Sequence, residues 1–332
     1  MPKVDIPRLA VRSALVGYAA ALAGLALLWR AGSQRWWAQV ARIFAPHLFW
    51  PLAALLPLAL RSRDRWAQWA ACLPAALFVA MYGRRMLPRR SVAGEGARLR
   101  VATCNLCFRN QDASKIVAAL GGLRADIVML QELTPPVALA LAQLGGQYPH
   151  QLLHAAERQN GLGIISRLPL GAASLDADAR IQRASASLGQ RQIVLINAHP
   201  TIADMRWRRL LGRFPMLVGY APGRRQDHID ALLAQIDATA GDLIVAGDFN
   251  TAEGEPPYRQ LAARLRDCFA EAGRGFGFTF PLGMGSAALP RPLIRIDYVW
   301  VRGAIRPLRA ARGSSGGSDH TAVVADLLIG EG

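Results

Sequence analysis

Cysteine is scarce in this sequence, which contains only Cys72, Cys104, Cys107 and Cys268. Cys104 and Cys107 form a C-x-x-C beside a predicted strand end, without a second C-x-x-C or a suitably spaced histidine pair. A zinc or redox site would need such partners, so we expect ordinary buried thiols. No disulfide framework is implied.

Acidic residues are nearly absent from the first hundred positions. Residues 1–100 hold 15 Lys and Arg against 3 Asp and Glu, whereas residues 101–332 hold 24 against 20. The net charge of +16 would indicate nucleic-acid binding if it were spread evenly. Most of the excess instead flanks hydrophobic segments, where it is typical of a topology signal or of attraction to anionic lipid head groups. The remainder suits a phosphate-bearing substrate without selecting one.

Charge is missing altogether from three hydrophobic runs, at residues 13–29, 43–60 and 66–83. Each is near the short end of what spans a bilayer, and each is flanked by arginine and tryptophan. A cleaved signal peptide would explain only the first run. The sequence therefore predicts a multi-pass membrane anchor of about three transmembrane helices at residues 1–90, followed by a linker at residues 91–97. The flanking arginines are divided almost evenly between the two sides, so the side on which the C-terminal part of the chain lies stays open.

Short apolar strands alternate with helices from residue 98 onward. Their lack of polar alternation is typical of sheets covered on both faces. This pattern predicts an α/β domain with layered sheets. Strands are predicted at residues 99–106, 127–131, 163–166, 193–198, 243–246, 296–301 and 322–328, and helices at residues 113–120, 136–144 and 226–239.

Polar side chains recur at the ends of these strands. Strand ends of an open α/β sheet are where side chains from distant parts of a sequence converge. Carboxylates, amides and histidines together would form a site for Mg²⁺, with open positions for water and phosphate. Each motif alone has an ordinary explanation, such as a helix cap or an Asx turn, so the inference depends on their joint occurrence. The residues are Asn105, Glu132, His199, Asp248, Asn250, Asp297, Asp319 and His320.

The order N…QE…H…GDxN…D…SDH resembles the endonuclease/exonuclease/phosphatase superfamily over residues 98–329. NGLGIISRLPL, and TFP followed by PLIRIDYVWV, resemble further strands of that family. The resemblance implies a four-layer α/β sandwich of two packed mixed sheets, with a catalytic domain at residues 98–332. It also implies divalent-metal-dependent hydrolysis of a phosphoester, foremost a phosphodiester, in nucleic acid or a phospholipid head group.

The resemblance further implies a metal site. Glu132 matches the principal ligand of Mg²⁺ or Mn²⁺, Asn105 the amide beside the metal, and Asp319 a second acid near it. A divalent cation neutralises charge on the phosphate oxygens and on the leaving group.

Five residues match the family's catalytic positions. Asp248 matches the acid that orients or deprotonates the attacking water, and Asn250 the amide that binds a phosphate oxygen. His199 and His320 match the two histidines that flank the scissile phosphate, so His199 is also a substrate-binding residue. Asp297 matches the acid that fixes the tautomer of His320.

Two questions stay open at this point. A non-catalytic membrane receptor or scaffold on a degenerate phosphatase fold would predict the loss of a key acid, yet every expected position is filled. Residues 204–225, basic and aromatic-rich, are either a surface loop or a lip that contacts substrate or the lipid bilayer.

Overall fold

The computed structural model describes residues 6–87, 94–210, 213–282, 291–314 and 316–330. The predicted linker at residues 91–97 lies partly outside the described residues. The chain divides into two compact units, one of residues 1–87 and 205–221 and one of residues 88–204 and 222–332.

The elements follow one another along the chain without internal repetition. The α-helices are α1 (Ile6–Arg30), α2 (Trp36–Ile43), α3 (Trp50–Ser62), α4 (Arg65–Phe78), α5 (Arg84–Met86), α6 (Ala113–Gly122), α7 (Pro135–Ala140), α8 (Arg224–Asp237), α9 (Pro256–Ala262) and α10 (Cys268–Ala272). The strands are β1 (Ala97–Asn105), β2 (Ile127–Gln131), β3 (His150–His154), β4 (Leu162–Ser166), β5 (Leu170–Asp176), β6 (Ile181–Leu188), β7 (Arg191–Ala198), β8 (Asp204–Leu210), β9 (Phe214–Ala221), β10 (Leu243–Asp248), β11 (Arg266–Asp267), β12 (Asp297–Arg302), β13 (Ile305–Arg312) and β14 (Val323–Ile329). Short 3₁₀ segments lie at Ala45–Phe49, Leu141–Leu144 and Arg158–Asn160, and a π-helical turn at Val79–Gly83.

The N-terminal helices α1, α3 and α4 pack against one another. Their shared core consists of Leu15 with three alanines, Ala59, Ala67 and Ala71. Small residues at the contact allow the backbones to approach closely, as in helix pairs within membranes. Large apolar side chains, among them Leu27 and Trp69, face outward from this core.

The expectation of about three transmembrane helices is wrong for the described residues. Only Arg8–Arg30 is long and apolar enough to cross a membrane alone, and a signal sequence would pass the same test. The second run is broken by a bend of 79° between Trp36–Ile43 and Ala45–Ser62, where Pro46 lies in the 3₁₀ segment that begins at Ala45. The third run is α-helical for only 14 residues before it changes to a π-helical turn. A multi-pass anchor is therefore not supported.

The basic insertion after His199 is a two-stranded hairpin of β8 and β9. It belongs to the helical unit, in which β9 contacts α2. Trp207 and Phe214 are exposed on it, at 58% and 62% of their surface. Helix α8 begins directly after the hairpin, at Arg224.

The larger unit contains two mixed sheets. One has the strand order β13-β14-β1-β2-β4-β3 and the other β11-β12-β10-β7-β6-β5. In each sheet a central parallel pair, β1 with β2 or β7 with β10, has antiparallel neighbours. The carboxyl ends of each parallel pair therefore meet at one edge.

Three buried clusters define the layers of this unit. The first joins the facing sides of the two sheets, the second joins one sheet to α6 and α7, and the third joins the other sheet to α8 and α9. They include Leu99 with Leu195, Ile116 with Leu130, and Ile236 with Val245. The predicted α/β sandwich of two packed mixed sheets is confirmed.

A buried amide network connects the sheets near the edge at which their parallel strands end. Gln131 Nε2 donates to Asn197 Oδ1 at 2.7 Å, and Asn197 Nδ2 donates to the carbonyls of Leu130 and Gly163 at 2.9 and 3.0 Å. Because these groups are buried, any relative slippage of the sheets would leave them unpaired. The network holds the strand ends of both sheets in register.

Candidate active site

The predicted site residues occupy one edge of the sandwich. Strands β1, β2, β7 and β10 end there, and the antiparallel strands β12 and β14 begin there. Together with neighbouring residues, they form a cleft of about 230 Å³. Six of the eight line it directly: Glu132, His199, Asp248, Asn250, Asp319 and His320. The other two, Asn105 and Asp297, are hydrogen-bonded to lining residues.

Asp248 lies at the centre of this arrangement. Its Oδ2 accepts a hydrogen bond from Asn105 Nδ2 at 2.9 Å and lies 3.6 Å from His199 Nε2 and 3.7 Å from His320 Nε2. Burial, with the negative charge of Asp297, raises the pKa of Asp248 well above the usual carboxyl range. A carboxylate with a raised pKa is a stronger base than an ordinary aspartate.

The glycine of the G-D-x-N motif, Gly247, is required for steric reasons. Its φ is +154°, and a Cβ there would collide with the carbonyl of Ala198 on β7. Glycine thus allows β10 and β7 to approach closely just before Asp248. Asn250, with φ +48°, then turns the chain in a conformation that asparagine tolerates.

His320 and Asp297 form a hydrogen-bonded pair, with His320 Nδ1 3.0 Å from Asp297 Oδ2. Burial alone would lower the pKa of His320, but the charges of Asp297 and Asp248 outweigh burial and raise it to about 10. The Ser318 hydroxyl donates to the Asn105 carbonyl at 2.7 Å and accepts from the His320 amide at 3.0 Å. The serine of S-D-H therefore ties this loop to β1.

His199 is in the opposite charge state. Burial, followed by the positive charge of Arg180, lowers its pKa to about 3. The surroundings thus favour the neutral form of His199 and the charged form of His320, and both imidazoles lie beside Asp248 Oδ2.

Glu132 is the first residue after β2 and has a left-handed backbone, with φ +56°. Its Oε2 accepts from the Phe108 amide at 2.8 Å and its Oε1 from Asn105 Nδ2 at 3.2 Å. Asn105 Oδ1 accepts from the Cys107 amide at 2.9 Å, which leaves the oxygen a second lone pair. The Asn105 amide thus orients both Glu132 and Asp248.

The donor set around the cleft fits a hard divalent cation. Three carboxylates, those of Glu132, Asp248 and Asp319, line one small cleft, and no Lys or Arg of the described residues forms a salt bridge with them. The most compact group of possible ligands is instead Asp248, Asp297 and His320. The hydrogen bond between His320 Nδ1 and Asp297 Oδ2 engages one ligand atom of each of these two residues, whereas the carboxylates of Glu132 and Asp319 line the cleft directly.

A buried ion pair, Arg225 with Glu255, holds Asn250 and its loop in place. Asn250 Nδ2 donates to the Pro200 carbonyl at 2.9 Å, and Arg225 donates to the Asn250 carbonyl at 2.6 Å. Arg225 and Glu255 are joined at 2.7 Å. The sequence analysis missed this pair. Arg225 lies at the start of α8 and Glu255 directly before α9, and no local sequence motif links them.

Other cleft residues also escaped the sequence analysis. Arg109 and Arg180 line the cleft, and Phe280 packs on His320 with ring centroids 4.6 Å apart. Phe280 belongs to the TFP segment noted in the sequence, so a signal existed for it. Arg180 comes from a turn before β6, in no recognisable motif.

Comparison with known proteins agrees with this architecture. The Endonuclease/Exonuclease/phosphatase family model matches residues 102–320. A search of curated proteins finds no match.

Similar solved structures share the fold at low sequence identity. An endonuclease/exonuclease/phosphatase from Beutenbergia cavernae is 20% identical over 70% of this chain and 72% of its own, with a TM-score of 0.54. TDP2 of D. rerio, complexed with single-strand DNA product, is 15% identical over 70% and 99%, with a TM-score of 0.54. An AP endonuclease from Archaeoglobus fulgidus is 17% identical over 68% and 98%, with a TM-score of 0.52. Because the family model covers well over half of the sequence, this chain belongs to the Endonuclease/Exonuclease/phosphatase family.

Proposed function

We propose that this chain is a divalent-metal-dependent hydrolase that cleaves a phosphodiester. The observation that carries the proposal is the position of Asp248, within 4 Å of two histidines in opposite charge states. Such a set can remove a proton from water on one side and stabilise negative charge on the other.

Each residue then has a distinct role. Asp248 accepts the proton of the attacking water, a role that its raised pKa favours. His320, held as an imidazolium by Asp297, donates to a phosphate oxygen as charge develops there. The neutral His199 and the amide of Asn250 hold the phosphate in position.

Glu132, with Asn105 and Asp319, would hold Mg²⁺ or Mn²⁺ at the other side of the cleft. The bound cation would neutralise charge on the phosphate oxygens and the leaving group. The carboxylate-rich lining of the cleft supports this assignment.

The named relatives favour nucleic acid as the substrate. TDP2 of D. rerio was crystallised with single-strand DNA product, and another relative is an AP endonuclease. A panel of single-stranded DNA, duplex DNA, RNA, sphingomyelin, phosphatidylinositol phosphates and an artificial diester, each with and without EDTA, tests both substrate and metal dependence. Cleavage of none of these, or cleavage that EDTA does not stop, would refute the proposal.

We further propose that the N-terminal helical unit attaches the enzyme to a lipid bilayer. Helix α1 is long and apolar enough to span one, and exposed apolar residues such as Trp50 and Trp69 surround the helical core. Carbonate extraction of membranes from expressing cells tests this. Full-length protein should stay in the pellet, whereas release into the supernatant would contradict attachment by a span.

The Asp297–His320 pair predicts a specific pH dependence. His320 must be charged to act, and its folded pKa is raised, so activity should persist as pH rises and fall only as pH passes that pKa. Asp297→Asn removes the raising charge, so the alkaline limb of the kcat/KM profile should move down by about one to three pH units. Asp326→Asn, at a surface pair with Arg100, is the control and should leave the limb unchanged. A limb that stays in place in Asp297→Asn would contradict this assignment.

Arg180→Ala is expected to weaken substrate binding. Arg180 lines the cleft, and its removal should raise KM more than it lowers kcat, with a loss in kcat/KM of about 10- to 100-fold. Arg124→Ala is a matched control because Arg124 also has a left-handed backbone, with φ +49° against +55° for Arg180, and does not line the cleft. Equal losses in the two variants would show that Arg180 acts only through its backbone turn.

A further inference from the structure

A second, larger cavity of about 1110 Å³ lies outside the active cleft. It is formed by the segment after α10 and by the end of β13. Its volume exceeds that of the usual pocket for a small molecule, roughly 300–1,000 Å³. Aromatic and arginine side chains dominate the wall: Arg274, Phe276, Phe278, Arg291, Arg309 and Arg312.

The aromatic part of the wall is built by a Gly-Phe-Gly-Phe segment, residues 275–278. The rings of Phe276 and Phe278 are parallel, 6° apart in plane and 5.1 Å between centroids. Gly277 has φ +63°, and a Cβ there would collide with the Phe269 ring. The glycine is thus required for a backbone that stacks the two rings on each other, which leaves their outer faces to the cavity wall.

The charge of the wall is of one sign. Its four arginines are exposed, and none of the described lining residues is acidic. None of the four forms a salt bridge with a described residue; Arg312 donates only to the Phe278 carbonyl, at 3.2 Å. Thr321 also lines the cavity, and its hydroxyl is buried without a hydrogen-bond partner among the described residues.

The cavity and the active cleft share a wall. His320 lines the cleft, and the next residue, Thr321, lines the cavity. Phe280 lines the cleft, whereas Phe278 and Leu282 line the cavity. The two sites are therefore separated at this point by the chain that runs through His320 and Thr321.

We propose that this cavity binds single-stranded nucleic acid adjacent to the scissile phosphodiester, with bases against Phe276 and Phe278 and phosphates at the arginines. Parallel aromatic rings combined with cationic side chains outside any salt bridge are typical of surfaces that hold single strands, because every base has a face that stacks. A duplex hides those faces, and a phospholipid head group has none. This inference rests on the proposed phosphodiester hydrolysis and specifies its substrate.

The test measures binding and cleavage separately, on the full-length chain. Binding is followed by fluorescence anisotropy of a labelled oligothymidine, in EDTA and on a Glu132→Ala background, so that no cleavage occurs. Phe276→Ala with Phe278→Ala should weaken binding by about 5- to 150-fold for each base that no longer stacks. Arg309→Gln with Arg312→Gln should also weaken binding, and should lower the slope of log affinity against log salt by about 0.7 for each phosphate that is no longer neutralised.

Controls separate the cavity from the catalytic site and from folding. Arg264→Gln changes an exposed arginine that pairs with Asp237 and does not line the cavity, and should leave binding unchanged. On the otherwise wild-type chain, the cavity variants should hydrolyse a small artificial diester at the normal rate. Normal diester turnover also shows that each variant is folded, and the arginine pair tests the cavity should the phenylalanine pair fail to fold.

Three outcomes would overturn the inference: unchanged oligonucleotide binding in both cavity variants, equal losses in Arg264→Gln, or a larger loss of binding to phosphatidylglycerol vesicles than to the oligonucleotide. Cavity-dependent oligonucleotide binding in a chain that cleaves no diester would instead uphold the cavity and refute the proposed hydrolysis. The two proposals can therefore fail independently.

Discussion

Asp248→Asn is expected to lower turnover by on the order of a hundredfold or more, without loss of the fold. The asparagine keeps the shape of the side chain and can still accept from the Asn250 amide, now 2.9 Å away. It cannot accept a proton from water. Loss of one such group in an active site typically costs about 3–4 kcal/mol in the barrier, which corresponds to this loss of rate.

The melting temperature should hold or rise in the same variant. Asp248 is buried, and its raised pKa means that the folded state disfavours its charge. A neutral amide removes that cost, which offsets the loss of the hydrogen bond that Asp248 Oδ2 accepts from Asn105 Nδ2, so activity should fall while stability is kept. Asp230→Asn, on the exposed side of α8, serves as the control and should change neither.

Two companion variants identify the separate roles. Glu132→Ala should lose turnover to a similar degree, but excess Mn²⁺ should partly restore it, because weaker metal binding is overcome by mass action. His320→Ala should not respond to metal. Double variants should lose less than the product of the single losses, since groups that act on one transition state fail together. Near-normal turnover in Asp248→Asn and His320→Ala would exclude the assigned roles, whereas absence of turnover in the wild-type chain would favour the non-catalytic scaffold.

Asp267→Ala is expected to be the most destabilising single substitution considered, at about 3–5 kcal/mol. The Asp267 carboxylate accepts two hydrogen bonds from the buried Arg295 guanidinium, at 2.9 and 2.7 Å. It also caps α10 through the Phe269 amide at 2.9 Å and accepts from the Tyr258 hydroxyl at 2.9 Å. Removal of Asp267 leaves the buried Arg295 guanidinium with fewer acceptors for its charge. The resulting loss in the free energy of unfolding is far larger than the net stabilisation that the intact ion pair provides.

The measurement is pulse proteolysis of full-length protein across a urea series. Asp237→Ala breaks an exposed, solvent-screened pair with Arg264 and should leave the urea midpoint nearly unchanged. The double variant Asp267→Leu with Arg295→Met should recover part of the loss, because it removes the buried charge as well as Asp267; recovery is partial since Glu253, which also pairs with Arg295, loses that partner. An Asp267→Ala midpoint no lower than that of Asp237→Ala would contradict the prediction.

The buried strands and the residues at their ends could be predicted because both signals are local. β2 and β10 are apolar on both faces, and each is followed directly by a polar motif. β5 is largely exposed and mixed in composition, so it shows no alternation of apolar and polar residues that would predict a strand. The arginine-rich β8 was interpreted as part of a loop for the same reason. Their pairing depends on partners elsewhere in the chain, which composition does not reveal.

The membrane spans were overestimated for a related physical reason. A hydropathy window sums side chains and ignores the backbone, so it did not register the bend after Ile43 or the π-helical turn after Phe78. Arg180 and the Arg225–Glu255 pair were missed because their importance arises only from contacts made in the folded chain.

The hairpin of β8 and β9 has a consequence for the order in which the protein is made. Ribosomes release a chain from its N-terminus, so α1 to α4 emerge first and can pack around Leu15 while translation continues. The contact between α2 and β9 must wait until β7 and the hairpin have left the ribosome. The helical unit is therefore completed only by a segment that is made after much of the larger unit, and a nascent chain stalled before Asp204 lacks the strand that contacts α2.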